Sequence, residues 1–190
     1  MKNIKDNSVL YLVTGAGGSG KDTAVNLVNM FAGTTKVNSY TTRLPRYYNE
    51  DTHTFVDEQF YYDAKENDNV LAYTYQNNAH YFTTPELVYG HNFYIIDPAG
   101  VVSLCKYLAD QKIKNGKTKK DLIGVDEIKV IYINTPIYKR FYNMFIHRND
   151  SLIQTIKRII QDNKIYKDFE NESYVDYVVN SVHEFVDLFR

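Results

Sequence analysis

The stretch Val9–Thr23, with the sequence VLYLVTGAGGSGKDT, constrains the fold more than any other part of this chain. Its first part, Val9–Val13, is a short apolar, β-branched run, which predicts a buried strand. The run breaks into the glycine-rich segment Gly15–Lys21, and a helical pattern follows. The order of strand, glycine-rich turn and helix is the context that a phosphate-binding loop needs.

This glycine-rich segment predicts a cradle for phosphate anions. Glycines let successive backbone N–H groups turn inward without a Cβ clash, and those groups attract phosphate together with the positive end of the helix dipole. Lys21 adds a full positive charge that reaches the outer phosphates. The segment matches GxxxxGK, although Asp22 stands where serine or threonine is usual; the alternative is an ordinary turn between strand and helix. The residues predicted to line the cradle are Gly15, Ala16, Gly17, Gly18, Ser19, Gly20, Lys21, Asp22 and Thr23.

Composition restricts the class of protein. The chain has 190 residues, with 22 basic and 23 acidic side chains, a net charge of −1 and one cysteine. Its length suits one domain with small inserted lobes, and its near-neutral charge indicates neither a nucleic-acid partner nor a membrane surface. We expect no signal peptide and no transmembrane span. A lone Cys105 is typical of a reducing compartment, so we expect a cytoplasmic protein.

Strands and helices alternate along most of the chain, which predicts an α/β fold with a mainly parallel sheet covered by helices on both faces. The predicted strands are 9–13, 35–38, 54–56, 70–75, 80–83, 93–96, 129–133 and 175–179. The predicted helices are 21–31, 57–66, 84–89, 101–114, 136–147, 151–164 and 182–189. The buried face of the first helix is expected to carry Ala24, Leu27, Val28 and Phe31. We assign 1–40 and 90–190 to the core and 41–89, with its hairpin-like strands, to a small inserted lobe.

Two arginines, Arg43 and Arg46, lie on either side of a proline in the segment TTRLPR. Two guanidinium forks on a stiffened loop suit a phosphate monoester, which accepts bidentate hydrogen bonds. The alternative is a solvated basic loop. The position of this segment downstream of a phosphate loop favours the binding role.

A second set of charged residues follows later in the chain. Arg148 lies at a helix break and Arg158 in the next helix, so that both can close over a transferring phosphoryl group. The alternative, surface charge, is the stronger one for Arg140. Asp97 ends an apolar strand, where a carboxylate holds metal-bound water, contacts a substrate base or caps the following helix. The five histidines do not have metal-ligand spacing.

Together these motifs resemble the guanylate kinase family of nucleoside monophosphate kinases over nearly the whole chain. The most specific segment is TTRLPR at 41–46, because it lies downstream of a phosphate loop. The other segments that carry the resemblance are the GxxxxGK loop at 15–21, HTFV at 53–56, AHYFTTPE at 79–86, IIDPAG at 95–100, and the pair Arg148 and Arg158.

The resemblance implies a P-loop NTPase-type core, a monophosphate-binding lobe at 41–89 and a small lid near 140–158. It implies transfer of the γ-phosphoryl group of ATP, with Mg²⁺, to GMP or dGMP in a monomer or a homodimer. The residues matching the family's monophosphate grip are Arg43, Arg46 and Tyr81. Those matching its guanine site are Ser39, Thr83 and Asp97. The expected catalytic groups, around the transferred phosphoryl, are Lys21, Arg148 and Arg158.

The sequence departs from the family pattern at several positions. The loop after Arg46 is short, so the phosphate-contacting glutamate is expected at Glu50, and His53 stands where tyrosine is common. Asp22, which replaces a hydroxyl residue, is a candidate Mg²⁺ ligand, with a plain first-turn helix position as the alternative. Ala72 stands at the position of the carboxylate that reads guanine.

Two other functions remain open on the sequence alone. Ribose bisphosphate phosphokinases resemble guanylate kinases, often carry GKD in the loop and need no base-reading carboxylate. A non-catalytic guanylate-kinase-like module, which binds phosphopeptides at the monophosphate site, is the other alternative. Such modules tend to lose the ATP loop, whereas Gly15–Lys21 is present here.

Overall fold

The computed structural model describes residues 9–45, 48–109, 121, 123–148 and 150–190. The strands are β1 (Val9–Thr14), β2 (Tyr40–Thr41), β3 (Thr54–Phe55), β4 (Leu71–Gln76), β5 (Ala79–Thr83), β6 (Phe93–Ile95), β7 (Glu127–Ile133) and β8 (Tyr177–Val179). The α-helices are α1 (Lys21–Ala32), α2 (Glu58–Glu66), α3 (Pro85–Val88), α4 (Pro98–Ala109), α5 (Ile137–Tyr142), α6 (Leu152–Ile165) and α7 (Val182–Asp187). A π-helical turn, Asn143–His147, continues α5, and a 3-10 turn, Phe169–Asn171, follows α6.

The first sheet has the strand order β6-β1-β7-β8, and every pairing in it is parallel. The predicted parallel sheet is therefore confirmed. Val13 of β1 pairs with Ile95 of β6, so these two strands end side by side. Because ligands of parallel sheets bind at the carboxyl ends of strands, the glycine-rich loop and Asp97 come to the same edge.

Two apolar clusters cover the two faces of this sheet. On one face, Leu10 and Leu12 pack with Val101 and Leu104 of α4. On the other face, the strands pack against α1 and α7, and Phe185 is fully buried there. Side chains alternate between the faces of a strand, which is why neighbouring residues of β1 enter different clusters.

The second sheet has the strand order β3-β2-β5-β4. Strands β4 and β5 form an antiparallel hairpin, as expected, and its turn residues Asn77 and Asn78 have φ values of 49° and 62°. Asparagine tolerates this left-handed conformation better than most residues. The pairing register shifts between Leu71 and Thr74, where Ala72 also has a positive φ of 52°.

Several helix ends agree with the sequence. Asp57 caps α2 by accepting a hydrogen bond from Phe60 N, and Ser151 caps α6 by accepting one from Gln154 N. Gly33 ends α1 with a φ of 65°. Polar side chains at these caps satisfy backbone N–H groups that the first helical turn leaves unpaired.

Two expectations are wrong in detail. The strand expected at 35–38 is reduced to a single bridge between Lys36 and Phe93. On α1, Leu27 and Phe31 are exposed, and the buried face consists of Ala24, Val25 and Val28. The predicted burial of Ala24 and Val28 is confirmed, and Val25 takes the place of Leu27 and Phe31 because α7 packs beside α1 and determines which side chains are covered.

Two helices differ from the predicted bounds. The helix expected at 136–147 is α-helical only to Tyr142 and then widens into the π-helical turn. Helix α4 begins earlier than expected, at Pro98, and the part predicted for 110–114 lies outside the described residues. Within the described residues, no helix is both long and apolar enough to cross a bilayer.

Candidate active site

The glycine-rich loop leaves β1 and enters α1 at Lys21, as the sequence predicts. Gly18 and Gly20 have φ values of 76° and 88°, which glycine adopts at low cost. A Cβ on Gly18 would also lie only 2.7 Å from the carbonyl oxygen of Arg140. Glycine at this position thus lets α5 approach the loop backbone.

Lys21 folds back over the loop. Its Nζ donates to the carbonyl oxygens of Gly15, at 2.6 Å, and Ala16, at 3.1 Å. The pKa of Lys21 is lowered to about 8, chiefly by burial and also by the positive charges of Arg158 and Arg140, while Asp22 and Asp162 oppose the lowering. Because burial disfavours the charged form of this amine, an anion bound at the loop would stabilise it.

Arg140 is buried and contacts the loop, so surface charge, the stronger interpretation of its sequence position, is wrong. Only 5% of the residue is exposed. Its Nε donates to Gly17 O at 3.1 Å, and its Nη2 donates to Asp162 Oδ2, also at 3.1 Å. The same carboxylate oxygen accepts a hydrogen bond from Gly17 N at 2.7 Å. Helices α5 and α6 thus hold the loop through a buried ion pair.

Three further side chains hold the carbonyl groups of the loop. Tyr166 Oη donates to Gly15 O at 2.9 Å, and Asn143 Nδ2 donates to Gly18 O at 2.8 Å. Thr135 Oγ1 donates to the carbonyl oxygen of Ser19 at 3.0 Å. With their carbonyls held from outside, the loop residues keep a fixed backbone conformation.

Of the two arginines predicted to act on the phosphoryl group, Arg158 is the one beside the loop. A Cβ on Gly17 would lie 2.7 Å from its Nε, so the guanidinium packs directly on this glycine. Arg148 follows the π-helical turn and forms an ion pair with Asp150 at 3.6 Å. The structure thus brings one member of the predicted pair to the loop.

Asp22 lies in the first turn of α1, with 64% of its side chain exposed. Its carboxylate is 3.4 Å from Lys36 Nζ. Among the described residues, no three His, Cys, Asp or Glu side chains are grouped in a way that would hold a metal ion. A magnesium ion here would depend on waters and on the ligand phosphates for most of its coordination, as is usual for Mg²⁺.

The second part of the candidate site centres on Arg43. Its Nη1 and Nη2 donate to the two carboxylate oxygens of Glu50, at 2.9 and 2.5 Å. Only 1% of the Glu50 side chain is exposed, and Thr52 also donates to it. The hydrogen bonds to Glu50 raise the pKa of Arg43, and Tyr81 adds to the rise. Arg46 lies outside the described residues.

Two of the residues matched to the guanine site, Ser39 and Thr83, lie at ends of strands in the second sheet: Ser39 precedes β2 and Thr83 is the last residue of β5. Ser39 Oγ is 3.0 Å from His53 Nδ1, and the His53 ring packs edge-on against Tyr81 at 5.5 Å. Thr83 is fully buried, and its Oγ1 has no hydrogen-bond partner in the part of the chain described here.

Asp97 joins the two parts of the site. Its Oδ1 accepts hydrogen bonds at 2.8 Å from Thr74 Oγ1 and from Gly100 N, so it caps α4 and also contacts β4. Its negative charge helps to raise the pKa of Tyr166, after burial, and Tyr166 bonds to the loop at Gly15. Asp97 therefore links the parallel sheet to β4 of the second sheet.

Ala72, which the sequence matched to the position of the base-reading carboxylate, does not line this site. It is 3% exposed and belongs to the apolar cluster under α4, and Thr74 is the residue of β4 that contacts Asp97. The shift in register between Leu71 and Thr74 causes this change. Spacing counted back from Tyr81 does not detect an extra residue in one strand.

Sequence reasoning missed Asp162, Tyr166 and Asn143. Asp162 follows Arg158 by four residues, which puts the two on one face of α6. The four-residue spacing is the available sequence signal, and it shows only that the two side chains share a face of α6. The structure shows that this face contacts Gly17, about 145 residues earlier in the chain.

Comparison with known proteins supports the fold. No protein-family model matches the chain, and no curated protein matches it in sequence. A guanylate kinase from Anaplasma phagocytophilum is similar in structure, with a TM-score of 0.58 and 16% identity, over 95% of this chain and 82% of that one. An uncharacterized protein from Eubacterium ventriosum has a TM-score of 0.45 and 9% identity over 95% of both chains. The similarity to the guanylate kinase structure indicates a guanylate-kinase-like fold.

Proposed function

We propose that this protein is an ATP-dependent nucleoside monophosphate kinase that transfers the γ-phosphoryl group to GMP or dGMP, giving ADP and GDP or dGDP. The observation that carries the proposal is the presence of two candidate phosphate sites. One is the glycine-rich loop with Lys21, and the other is Arg43, whose Nε is buried without a hydrogen-bond partner among the described residues. Asp97 follows β6, which pairs with β1, and accepts a hydrogen bond from Thr74 of the second sheet. A kinase of a phosphorylated acceptor needs both sites.

The loop supplies what transfer of a phosphoryl group requires. The transition state spreads negative charge over the oxygens of the moving group, so catalysis depends on positioning and on fixed positive charge. Lys21 and Arg158 are the groups we assign to that charge, with Arg148 as a residue that joins them when its ion pair with Asp150 opens. Within the 140–158 segment, the part that carries Arg148 would then act as a lid, since Arg140 is held on Gly17.

The Arg43 cluster is suited to a phosphate that is bound but not transferred. Arg43 Nε is buried without a hydrogen-bond partner among the described residues, while Glu50 holds the other two guanidinium nitrogens. A buried donor of this kind is costly unless a ligand satisfies it. A phosphate oxygen is the matching acceptor, and Tyr81 is the neighbouring donor.

A nucleotide base would satisfy another unpaired group. Thr83 Oγ1 is buried and unpartnered in the described residues, and Ser39 and Asp97 lie in the same part of the site. Hydroxyl and carboxylate groups recognise the donors and acceptors on the edge of guanine.

Bound Mg²⁺ would neutralise charge on the phosphates of ATP, and Asp22 is the side chain that we assign beside it.

A kinase of phosphorylated sugars is the second candidate, and one observation favours it. Strand β4, with the sequence LAYTYQ, has no acidic residue, so it provides no base-reading carboxylate whichever of its residues lies beside Asp97. A sugar bisphosphate needs no such group and would use the same two sites. The unpartnered Thr83 hydroxyl argues for the nucleotide instead.

A coupled ADP-release assay separates these functions. We expect turnover with GMP or dGMP that exceeds turnover with AMP, UMP, dTMP and ribose 1,5-bisphosphate. Faster turnover with ribose 1,5-bisphosphate would replace the nucleotide proposal by the sugar-phosphate one. Binding of ATP without turnover of any acceptor would indicate a non-catalytic module.

A further inference from the structure

Asp162 has a position that the proposed chemistry does not use. It lies in α6, near the end of the chain, yet its carboxylate contacts the glycine-rich loop. Its Oδ2 accepts hydrogen bonds from Gly17 N at 2.7 Å and from Arg140 Nη2 at 3.1 Å. The side chain is 14% exposed, against 6% for Arg140, so this ion pair is largely shielded from water.

The three residues form a closed ring of hydrogen bonds. Arg140 Nε donates to Gly17 O, Gly17 N donates to Asp162, and Asp162 accepts from Arg140 Nη2. Both backbone polar groups of Gly17 are therefore occupied, one by α5 and one by α6. A fork-shaped guanidinium is suited to this arrangement, because it donates in two directions from one plane.

The ring also fixes the position of Arg158. Arg158 and Asp162 are four residues apart in α6, and both lie against Gly17: a Cβ there would be 2.7 Å from Arg158 Nε and 2.9 Å from Asp162 Oδ2. Residues at this spacing share a face of a helix. The contact that anchors α6 on the loop is therefore one helical turn from the arginine assigned to the phosphoryl group.

We propose that Asp162 is a positioning residue: through Gly17 and Arg140 it holds the phosphate loop in shape and keeps Arg158 beside it before a nucleotide binds. The proposal rests on the proposed function, since the loop must receive a triphosphate. A second interpretation of the same contacts is that the Asp162 carboxylate occupies the loop and competes with the incoming phosphate. The two interpretations predict opposite changes in nucleotide affinity.

Binding of β,γ-imido-ATP with Mg²⁺, measured by calorimetry, tests the proposal without any acceptor. Asp162→Ala removes the acceptor, and we expect its Kd to rise by roughly ten- to a hundredfold, the effect of losing one charged hydrogen bond. Asp162→Asn keeps an acceptor oxygen at the same place and should recover most of this loss. The matched control is Asp168→Asn, which removes the same charge from an exposed residue beyond the end of α6 and should bind as the wild type does.

Kinetics with GMP supply a second measurement that general destabilisation would not mimic. Displacing Arg158 removes stabilisation of the moving group, so Asp162→Ala should lower kcat while changing KM for GMP little. Arg140→Lys, which keeps the charge but loses the fork, should behave like Asp162→Ala and serves if the alanine variant does not fold.

The outcomes are distinguishable. Tighter binding of the analogue by both Asp162 variants would overturn the positioning role and establish competition with phosphate. Wild-type affinity in Asp162→Ala and Arg140→Lys would also overturn it, with the proposed function intact. A wild-type protein that bound no β,γ-imido-ATP would overturn the proposed function itself.

Discussion

The glycine-rich loop and the Arg43 cluster both contain basic side chains, but they are held in different ways. The loop is fixed by residues far away in the sequence: Arg140 and Tyr166 contact it from helices that come after the last large strand. The Arg43 cluster is fixed locally, because Arg43 and Glu50 are seven residues apart and lie on one short segment. One site is thus set by the tertiary fold and the other by a loop.

This difference indicates how each site responds to its ligand. Backbone groups held from several sides change little on binding, which is the condition for stabilising a transition state with fixed charges. A locally held arginine keeps its partner glutamate and can still adjust to a phosphate. We therefore expect substitutions in the loop to change the chemical step and substitutions in the Arg43 cluster to change binding.

The largest effect is expected for Lys21→Ala. Its ammonium lies in a buried, electropositive cradle, and loss of one such fixed charge lowers kcat by roughly 10²–10³-fold. Steady-state kinetics with ATP and GMP measure this, with Lys167→Ala, an exposed lysine beyond α6, as the control. Near-normal kcat in a folded Lys21→Ala protein would remove the kinase proposal.

Substitution of Arg43 should act on binding. Arg43→Lys keeps a charge beside the buried Glu50 but loses the bidentate geometry, so KM for the monophosphate should rise by about ten- to a hundredfold with kcat nearly unchanged. Arg43→Ala should give the same direction with a lower melting temperature, because Glu50 is left buried without its partner.

Arg148→Ala provides the contrast. If the 140–158 segment closes on the phosphoryl group, this change lowers kcat and leaves KM for the monophosphate nearly constant. A rise in that KM alone would show that the lid assignment is wrong. Comparing the two arginines therefore tests whether binding and chemistry are divided between the two sites.

Base selection should depend on Asp97. Asp97→Asn keeps an oxygen that can accept from Thr74 and cap α4, but it removes the charge, so preference for GMP over AMP should fall by about tenfold. The ratio of kcat/KM values measures it. An unchanged ratio would mean that Asp97 only supports the fold.

Much of the fold could be predicted from the sequence, because it depends on local patterns. The strand, glycine-rich turn and helix at 9–32 follow from hydrophobicity and glycine positions, and the caps Asp57 and Ser151 follow from side-chain chemistry. Of the candidate site, the TTRLPR motif identified Arg43, and the resemblance to guanylate kinases added Glu50; the two residues pair with each other.

The parts that failed depend on packing between distant segments. The role of Arg140 could not be predicted, because its burial requires α5 to meet the loop, and surface charge is the usual state of arginine. The side of β4 on which Ala72 lies could not be predicted either, because it depends on an irregularity in the β4–β5 pairing that counting residues does not detect. A glutamate at this buried position is now expected to lower stability rather than to bind guanine.

The interaction of Asp22 with Lys36 predicts a smaller effect. If Asp22 faces Mg²⁺ in the nucleotide complex, it must leave Lys36, and Asp22→Ser should weaken apparent magnesium affinity by roughly a few-fold with the fold intact. A magnesium titration of activity measures this, with Lys36→Met as the matched partner, which should strengthen the affinity slightly. Unchanged titrations in both variants would leave Asp22 only its favourable position at the helix N-terminus.

The smallest effect concerns protons rather than rates. The pKa of Lys21 is about 8, below the 10.5 of a free lysine, so the unfolded chain holds more protons between these values and stability should rise with pH across that window. Bound phosphates stabilise the ammonium and raise its pKa again. At pH 8, binding of β,γ-imido-ATP should therefore take up about half a proton, since half of the amines are neutral beforehand. Calorimetry in buffers of different ionisation enthalpy measures this uptake. Lys21→Arg stays charged throughout and should abolish it, and equal uptake by this variant would assign the titration to another group.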